Sequence, residues 1–453
     1  MRVPTQIFRE YDIRGVAERD LGDDFARALG IGIGATIGGR IAVGRDCRLS
    51  SDRLFAAFTD GLEKAGAHVV DVGIGPTPKL YFASHHLKTD GGVMITGSHN
   101  PPDENGFKIV RGTASFFGAD IQTLRKRLEA DDLPMKAGGA RSSESIDDAY
   151  VAALTKDIQV AKSMKVVLDA GNGAGGPLGL RAFDRLGMKI DPLYCEMDGR
   201  FPAHHPDPTV PKNLDALIRR VKETGAHVGL AYDGDADRLG AVDANGDIVW
   251  GDKLLILFSR ALLEAHPGAA ILGEVKCSQT LYDDIAKHGG RPIMWKTGHS
   301  LIKTKMKEEH ALLAGEMSGH LFFADRWYGF DDALYAGLRL IELLSKSGKT
   351  MGELLSDVPK TFVTPEIRVD CPDAIKFDVV KLVTEHYQRA GNDVKTVDGA
   401  RIGFGGASWG LVRASNTGPI LVLRFEAISE AERDRLRAEV EGVVRTARET
   451  LGK

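Results

Sequence analysis

Three aspartates at alternate positions, in Asp233-Gly234-Asp235-Ala236-Asp237-Arg238, form the strongest chemical signal in the chain. Carboxylates this close repel one another and raise each other's pKa unless a cation compensates. Oxygen-only ligands suit a hard ion such as Mg²⁺. A calcium EF-hand is excluded because its sixth loop position would be Arg238 rather than glycine and its twelfth would be Ala244 rather than glutamate. A solvated acidic turn is the remaining alternative.

A serine lies in the loop Thr96-Gly97-Ser98-His99-Asn100-Pro101, directly after an apolar run that predicts a buried strand. Ser98 therefore follows the carboxyl end of a strand, where α/β proteins usually keep their chemistry. The residue before a proline avoids the helical region, so Asn100 predicts an extended turn. His99 stands beside the hydroxyl. Alone, this pair of residues also fits an ordinary turn, and the rest of the chain must decide.

Two further loops carry groups that bind sugars and phosphates. The loop 315–320 offers a carboxylate on Glu316, a hydroxyl on Ser318 and an imidazole on His320, which suits hydrogen bonds to vicinal sugar hydroxyls. The loop 413–419 places a guanidinium, two hydroxyls and an amide in one turn, a composition typical of a phosphate cradle with Arg413 as bidentate partner. An ordinary polar loop and a capped turn are the respective alternatives.

A glycine-rich segment, Gly171-Asn172-Gly173-Ala174-Gly175-Gly176, matches the dinucleotide-binding pattern G-x-G-x-x-G. Asp191 stands about 20 positions further on, where that fold keeps an acidic residue for the ribose. A nicotinamide enzyme would, however, leave Ser98 and the three aspartates without a role. The segment is therefore predicted to be a tight turn from strand to helix.

The composition indicates an ordinary globular protein of several domains. The chain has 453 residues, of which 43% are hydrophobic and 27% charged, and its net charge is -4. No global basic field exists to bind nucleic acid or an anionic membrane surface. The four cysteines contain no C-x-x-C pair, which argues against zinc and for a reducing compartment. No apolar run is long enough to span a membrane, and we expect a cytoplasmic protein.

Strand-like runs alternate with helical stretches through three quarters of the chain, which implies α/β layers. The predicted strands lie at 41–44, 68–72, 93–95, 165–169, 229–232, 271–275 and 312–314. The tail has a different pattern, with a strand at 421–425 and a helix that a capping box at Ser429 opens. Pro359 to Pro365 is predicted to be a linker.

These patterns predict three related α/β domains followed by a separate C-terminal α+β domain. The predicted domains cover residues 1–143, 144–250, 251–361 and 362–453. They carry, in order, the serine loop, the aspartate loop, the sugar loop and the phosphate loop.

Taken together, these loops resemble those of the α-D-phosphohexomutase family, in the family's order and over nearly the whole chain. The resemblance implies that the α/β domains have mixed sheets and that the four domains surround a central cleft. The resemblance implies that Ser98 is the phosphorylated serine and that Asp233, Asp235 and Asp237 bind Mg²⁺, with a phosphoryl oxygen on Ser98 as fourth ligand. Glu316 and Ser318 would then hold the O3 and O4 hydroxyls of the sugar.

The resemblance also implies a set of further site residues. The loop 413–419 would bind phosphate through Arg413, Ser415, Asn416 and Thr417. The other residues expected in the cleft are Tyr11, Arg14, His99, Lys108, Arg238, Lys276, His299 and His320. Lys108 and His320 are the candidates for moving the proton of the sugar hydroxyl, and the sequence does not assign acid and base between them.

The implied activity is interconversion of hexose 1-phosphates and hexose 6-phosphates, of mannose and of glucose, through a 1,6-bisphosphate. Mg²⁺ is the expected cofactor, and the hexose 1,6-bisphosphate is expected to act as activator as well as intermediate. Hexose phosphates are the expected partners, and the chain is expected to be a monomer or a weak dimer. A phosphoglucosamine mutase, a metal-dependent sugar phosphatase and a non-catalytic sugar-phosphate sensor are the alternatives. The intact serine and aspartates argue against the sensor.

Overall fold

The computed structural model describes residues 3–415 and 418–452. The chain divides into two compact units. The first comprises Met1–Gly251 and Ser318–Leu354, and the second comprises Asp252–Met317 and Leu355–Lys453. The four predicted domain boundaries remain a prediction, and residues 318–354 of predicted domain 3 group with the first unit.

The first sheet of the first unit mixes parallel and antiparallel strands in the order β1-β5-β4-β2-β3-β7, with β6 paired to β5. Its strands are β1 (Ile13–Val16), β2 (Arg40–Arg45), β3 (His68–Ile74), β4 (Gly91–Ile95), β5 (Glu104–Arg111), β6 (Ala114–Ser115) and β7 (Ala140–Ser143). The associated helices are α1 (Asp23–Ile37), α2 (Ser51–Lys64), α3 (Thr77–His86) and α4 (Ala119–Glu129). Strand β4 is buried at every position, as expected for a strand covered on both faces.

The second sheet of the same unit has the order β12-β11-β10-β8-β9. Its strands are β8 (Lys165–Asp169), β9 (Lys189–Leu193), β10 (Val228–Tyr232), β11 (Leu239–Asp243) and β12 (Ile248–Val249). Helices α5 (Asp147–Thr155), α6 (Gly176–Arg185) and α7 (Asp215–Thr224) accompany them. Strand β10 runs parallel to β8 and antiparallel to β11, so this sheet is also mixed. Both sheets confirm the predicted α/β class.

The chain then passes into helix α8 (Gly251–Ala265) and the second unit. Strands β13 (Ala270–Glu274), β14 (Arg291–Trp295) and β15 (Leu313–Gly315) pair in parallel, with β13 in the middle. Helices α9 (Gln279–Lys287) and α10 (His299–Glu309) connect them. The segment that belongs to the first unit adds β16 (Leu321–Phe323), α11 (Ala333–Ser347) and α12 (Met351–Leu354).

The last sheet is antiparallel in every strand pair described and has the order β17-β22-β21-β20-β19, with β18 also paired to β22. Its strands are β17 (Phe362–Val363), β18 (Ile367–Asp370), β19 (Val394–Lys395), β20 (Ala400–Gly405), β21 (Ser408–Ala414) and β22 (Ile420–Ala427). Helices α13 (Lys376–Arg389) and α14 (Glu430–Leu451) pack with it. Ser429 caps α14, because its hydroxyl accepts the Glu432 N–H at 3.2 Å.

One prediction needs correction. The stretch from Pro359 to Pro365 is not only a linker, because it contains β17, which pairs with β22. Phe362 and Val363 have high β propensity, and two such residues are enough to extend the edge of an existing sheet although they are too few to predict a strand from sequence. Within the described ranges, no helix combines the length and the apolar character that crossing a membrane requires.

Candidate active site

The serine loop follows β4 in the first unit and holds Ser98 in an unusual conformation. Ser98 is 1% exposed, and its φ of +48° lies in the left-handed region that non-glycine residues seldom adopt. Its Oγ donates a hydrogen bond to Asp233 Oδ2 at 2.8 Å and lies 3.2 Å from His99 Nδ1. Strain of this kind persists only where surrounding contacts impose it. The contacts therefore fix the hydroxyl against the aspartate loop.

Arg48, which the sequence analysis missed, holds the backbone of the serine loop. Its guanidinium donates to four carbonyl oxygens, those of Ser98 and Asn100 at 2.7 Å, Pro101 at 2.5 Å and Glu104 at 2.9 Å. It is 2% exposed. Several donors in a rigid planar fork can collect carbonyls from one turn, which a lysine cannot do in the same geometry. Arg48 is therefore a positioning residue for Ser98.

The three aspartates of the aspartate loop, residues 233–238, converge as predicted. This segment is called the metal loop from here on. One carboxylate oxygen from each of Asp233, Asp235 and Asp237 lies within 4.8 Å of the other two, and all three residues are fully buried. Asp235 Oδ1 and Asp237 Oδ1 are buried and make no hydrogen bond with any residue that the structure describes. Buried carboxylate oxygens without donors are costly unless a cation or proton compensates. The three carboxylates are therefore a suitable ligand set for a hard divalent ion.

Charge within the cluster is partly balanced by Lys108. Its Nζ lies 2.7 Å from Asp235 Oδ2 and 2.5 Å from Asp237 Oδ2. Burial lowers the pKa of Lys108, but the two aspartates outweigh burial and the pKa is raised overall. Lys108 is therefore an ammonium at neutral pH. Burial raises the pKa of Asp233 well above its usual range, and Asp237 and Asp235 raise it further.

Two other predicted residues border the serine loop. Arg14 donates through Nε to Asp12 Oδ2 at 2.6 Å and through Nη1 to Asn100 Oδ1 at 2.9 Å, so its guanidinium is fastened to the loop. Burial, followed by the charges of Arg238 and Arg14, lowers the pKa of His99 well below its usual range. The His99 ring beside Ser98 is therefore neutral at pH 7. Tyr11 is half-buried just before β1.

His320 is oriented by two partners in the same unit. Arg238 Nε donates to His320 Nε2 at 2.9 Å, and Asp331 Oδ2 lies 3.0 Å from His320 Nδ1. A guanidinium can only donate, so Nε2 is an acceptor and Nδ1 carries the ring proton. The negative charge of Asp331 near Nδ1 favours the same tautomer, and Asp331 was not predicted from sequence. Ser318, two residues earlier, is half-buried.

The second unit gathers the predicted sugar contact Glu316 and Lys276 around an unpredicted residue, Glu274. Glu274 ends β13 and is fully buried. One of its oxygens accepts from Lys276 N–H and from Thr297 Oγ1, both at 2.8 Å, and the other accepts from Met317 N–H at 3.3 Å. Glu274 therefore joins three loops at one strand end. A carboxylate that closes an apolar strand was the available sequence signal.

Two buried carboxylates, Glu274 and Glu316, share this second cluster with the buried Lys276. Glu316 Oε1 accepts the Gly298 N–H at 2.7 Å, one residue before His299 begins α10. Burial raises the pKa of Glu274; Lys276 opposes this shift, and Glu316 adds to it. Burial lowers the pKa of Lys276, but Glu274 and other carboxylates outweigh burial and raise it overall. The cluster thus keeps a lysine charge beside two buried acids.

The predicted phosphate loop is anchored by Asp398. Its Oδ2 accepts from Arg413 Nε at 3.1 Å and from Thr297 N–H at 3.0 Å. Arg413 and Ser415 are both buried, at 7% and 5% exposure. The predicted contacts Asn416 and Thr417 lie outside the described residues. Asp398 therefore connects the phosphate loop to the loop before His299, within one unit.

Comparisons with known proteins agree with this architecture. Four family models, described as phosphoglucomutase/phosphomannomutase alpha/beta/alpha domains I, II and III and C-terminal domain, match residues 5–134, 148–246, 250–362 and 366–443. A phosphomannomutase/phosphoglucomutase of Pseudomonas putida is 47% identical over 96% of this chain and 94% of its own length. A phosphoglucomutase of Neisseria gonorrhoeae is 42% identical over 98% of this chain and 97% of its own length.

A solved structure is also similar. The crystal structure of a phosphoglucomutase/phosphomannomutase family protein from Burkholderia thailandensis has a TM-score of 0.93 and 42% identity, and the match covers 98% of each chain. The chain belongs to the phosphoglucomutase/phosphomannomutase family, as the resemblance to phosphohexomutases predicted. It is accordingly a hexose phosphate mutase, an isomerase of the phosphotransferase type.

Proposed function

We propose that the chain interconverts the 1-phosphates and 6-phosphates of mannose and of glucose, with Ser98 as the phosphoryl carrier. The observation that carries this proposal is the buried Ser98 Oγ, held in a left-handed backbone 2.8 Å from Asp233. An exposed turn serine would need neither the strain nor the contact. The names of the relatives support the two sugars as substrates.

In the first half-reaction the bond between phosphorus and Ser98 Oγ breaks, and a bond forms between phosphorus and the free hydroxyl oxygen of the sugar phosphate. The hydroxyl proton leaves for a base, and Ser98 Oγ takes up a proton. The bound 1,6-bisphosphate then reorients so that its other phosphoryl group faces Ser98. That group returns to Ser98 by the reverse step. Phosphoryl transfer asks the protein mainly for positioning and for neutralisation of charge.

The residues around Ser98 can meet these demands. Asp233, Asp235 and Asp237 would hold Mg²⁺, which supplies charge stabilisation on the transferring phosphoryl group when bound. Lys108 is an ammonium beside two of these aspartates and is one candidate for moving the proton of the sugar hydroxyl. His320 is the other candidate for proton transfer, since the hydrogen bond from Arg238 to Nε2 leaves the ring proton on Nδ1.

The second cluster would recognise the substrate away from the reacting phosphorus. Glu316, held at Gly298, would accept from sugar hydroxyls, and Ser318 would contribute a second contact. Lys276 and Arg413 carry the positive charges that the distal phosphate needs. If O3 and O4 are the hydroxyls read, mannose and glucose, which differ at C2, would both be accepted because a site discriminates poorly at an unread position.

The proposal is tested by replacing the carrier. Ser98→Ala should lose turnover of all hexose phosphates by several orders of magnitude and still bind them. Ser115→Ala, in β6 away from the serine loop, is the matched control and should keep wild-type turnover. Near-normal turnover by Ser98→Ala would contradict the proposal.

Substrate class is tested with the wild-type protein. Mannose 1-phosphate, glucose 1-phosphate, glucosamine 1-phosphate and galactose 1-phosphate are assayed for 6-phosphate formation, while inorganic phosphate is measured in parallel. The proposal predicts turnover of the first two sugars without stoichiometric phosphate release. Dominant turnover of the amino sugar would indicate a phosphoglucosamine mutase, and phosphate release alone would indicate a phosphatase; either result would refute it.

A further inference from the structure

The glycine loop, residues 171–176, has no role in the proposed reaction, although it matches a dinucleotide-binding pattern. The expected ribose partner Asp191 is engaged instead by Arg220, which donates to its two oxygens at 2.9 and 3.0 Å. A Cβ at Gly176 would lie 2.2 Å from the carbonyl oxygen of Cys195. At this glycine, protein backbone occupies the space that a cofactor would approach. The absence of side chains therefore serves close packing within the protein.

The surface that the glycine loop packs against is the metal loop. Ala174 N–H donates to the carbonyl oxygen of Gly234 at 2.9 Å. A Cβ at Gly173 would lie 2.7 Å from the same carbonyl oxygen, and one at Gly175 would lie 2.5 Å from Ala236 Cβ. Gly234 and Ala236 are the two residues that separate the three aspartates. The glycine loop thus contacts the spacers that set the distances between the carboxylates.

The metal loop needs such support because of its own chemistry. Three buried carboxylates repel one another, and Ala236 has a φ of +55°, which is strained for a residue with a side chain. Two more backbone contacts hold the same segment, since Thr77 N–H donates to Asp235 O at 2.9 Å and Ala333 N–H donates to Ala236 O at 3.2 Å. The metal loop is therefore held through its backbone by three separate parts of the first unit.

The glycine loop is itself anchored by a buried pair. Asp169, which ends β8, accepts Gly171 N–H at 2.9 Å and lies 3.0 Å from His204 Nε2. His204 Nδ1 lies 3.0 Å from the carbonyl oxygen of His205, which can only accept. Both ring nitrogens therefore face acceptor oxygens. Burial lowers the pKa of His204, but Asp169 outweighs burial and raises it overall. The pairing of His204 with Asp169 fixes the start of the glycine loop.

We infer that Gly175 is a positioning residue for the metal site: its missing side chain leaves room for Ala236 and thereby sets the separation of Asp235 and Asp237. This inference rests on the proposed metal role of the three aspartates. The backbone of Gly175, with φ -82° and ψ -21°, is an ordinary helical conformation. Alanine can adopt it without strain, so a substitution acts through the added methyl group alone.

The test measures Mg²⁺ binding by calorimetry on the full chain, independently of turnover. Gly175→Ala should weaken Mg²⁺ binding roughly 10- to 100-fold, the range seen when groups that orient metal ligands are removed. Adding Ala236→Gly to this variant removes the opposing methyl group and should restore affinity to within a few fold of wild type. Gly22→Ala is the control, because a Cβ there meets nothing within 4 Å; it should bind like wild type.

The outcomes are distinguishable. If wild type itself binds no Mg²⁺, the proposed metal role is wrong and this inference is wrong with it. If wild type and Gly175→Ala bind Mg²⁺ equally, or the double variant recovers nothing, the inference is wrong. Should Gly175→Ala not fold, a folded double variant that binds Mg²⁺ supports the inference. A double variant that also fails to fold overturns it, because Tyr232, 3.0 Å from the added Cβ, would then be the obstacle.

Discussion

Replacing Glu274 by glutamine tests whether the second cluster is organised by one carboxylate. The side chain accepts three hydrogen bonds, two on one oxygen and one on the other. Glutamine has a single acceptor oxygen. If that oxygen serves Lys276 N–H and Thr297 Oγ1, the amide NH₂ faces the Met317 N–H, and two donors meet. The variant therefore loses one partly buried hydrogen bond while keeping the shape of the side chain.

The size of the effect follows from this mismatch. Leaving a buried donor unsatisfied costs roughly 1–3 kcal/mol. The unsatisfied N–H belongs to Met317, the residue after Glu316. If the displaced loop weakens binding of the transition state by this amount, kcat/KM drops about 5- to 160-fold, at about 1.36 kcal/mol for each factor of ten. Both sugars should be affected alike, because the loop that moves would contact hydroxyls common to both.

Steady-state kinetics with mannose 1-phosphate and glucose 1-phosphate measure the effect, and thermal unfolding is recorded in parallel. Glu264→Gln, on the exposed side of α8, is the matched control and should behave like wild type. A Glu274→Gln variant with kcat/KM within twofold of wild type would refute the reasoning. So would a loss confined to one of the two sugars.

Three further predictions concern charge, phosphate and metal. Burial raises the pKa of Asp332 from 3.8 to about 7, so the folded protein favours the protonated carboxyl group. This contribution to the free energy of unfolding is fully present below about pH 4 and is lost as the pH rises through about 7. Asp332→Asn should abolish this loss, no more than about 4 kcal/mol at 1.36 kcal/mol per pKa unit, and unfolding free energies measured from pH 4 to 8 that keep the wild-type dependence would contradict it. Arg413→Ala should weaken the binding of glucose 1-phosphate and of mannose 1-phosphate, seen as a higher KM, by the roughly 1.5–3 kcal/mol of a charged hydrogen bond. The exposed Arg368→Ala should leave KM unchanged, and an unchanged KM in Arg413→Ala would argue against the phosphate role. Chelation should abolish turnover and added Mg²⁺ restore it, with Asp235→Asn requiring more Mg²⁺ than wild type, and full activity in excess chelator would exclude the metal.

The strand-end loops were predictable from sequence because their signals are local. An apolar run followed by glycines and polar residues marks the end of a buried strand, and Ser98 and Asp233 both stand at such positions. The alternation of such runs with helical stretches predicted the α/β class. The three aspartates lie within five residues of one loop, so their convergence needs no information from distant parts of the chain.

The supporting residues were not predictable, because their contacts are made across long separations. Arg48 serves backbone carbonyls 50 to 56 residues away, and nothing in its own neighbourhood marks it. Asp331 orients His320 from a segment without a recognised motif. Glu274 carried a signal, as the last residue of a buried strand, but its three acceptor contacts come from three different loops. Charge and hydrogen-bond satisfaction of this kind emerges only once the chain is folded.

The short strand β17 shows a different limit. Phe362 and Val363 stand between prolines, which favour a linker interpretation. Their pairing with β22 depends on an edge that other parts of the chain provide. A two-residue strand has no stability of its own and forms only because the sheet is already present.

The central claim is that Ser98 carries the phosphoryl group that the sugar receives, and transfer of label tests it most directly. Protein phosphorylated with ³²P is isolated, the label is located by fragmentation, and the protein is mixed with excess unlabelled glucose 1-phosphate on the timescale of one turnover. The account predicts one phosphate, on Ser98, that passes to hexose bisphosphate and hexose phosphate at a rate no slower than kcat, with none released as inorganic phosphate. Label that stays on the protein while turnover proceeds, or that appears as inorganic phosphate at the rate of turnover, would contradict it.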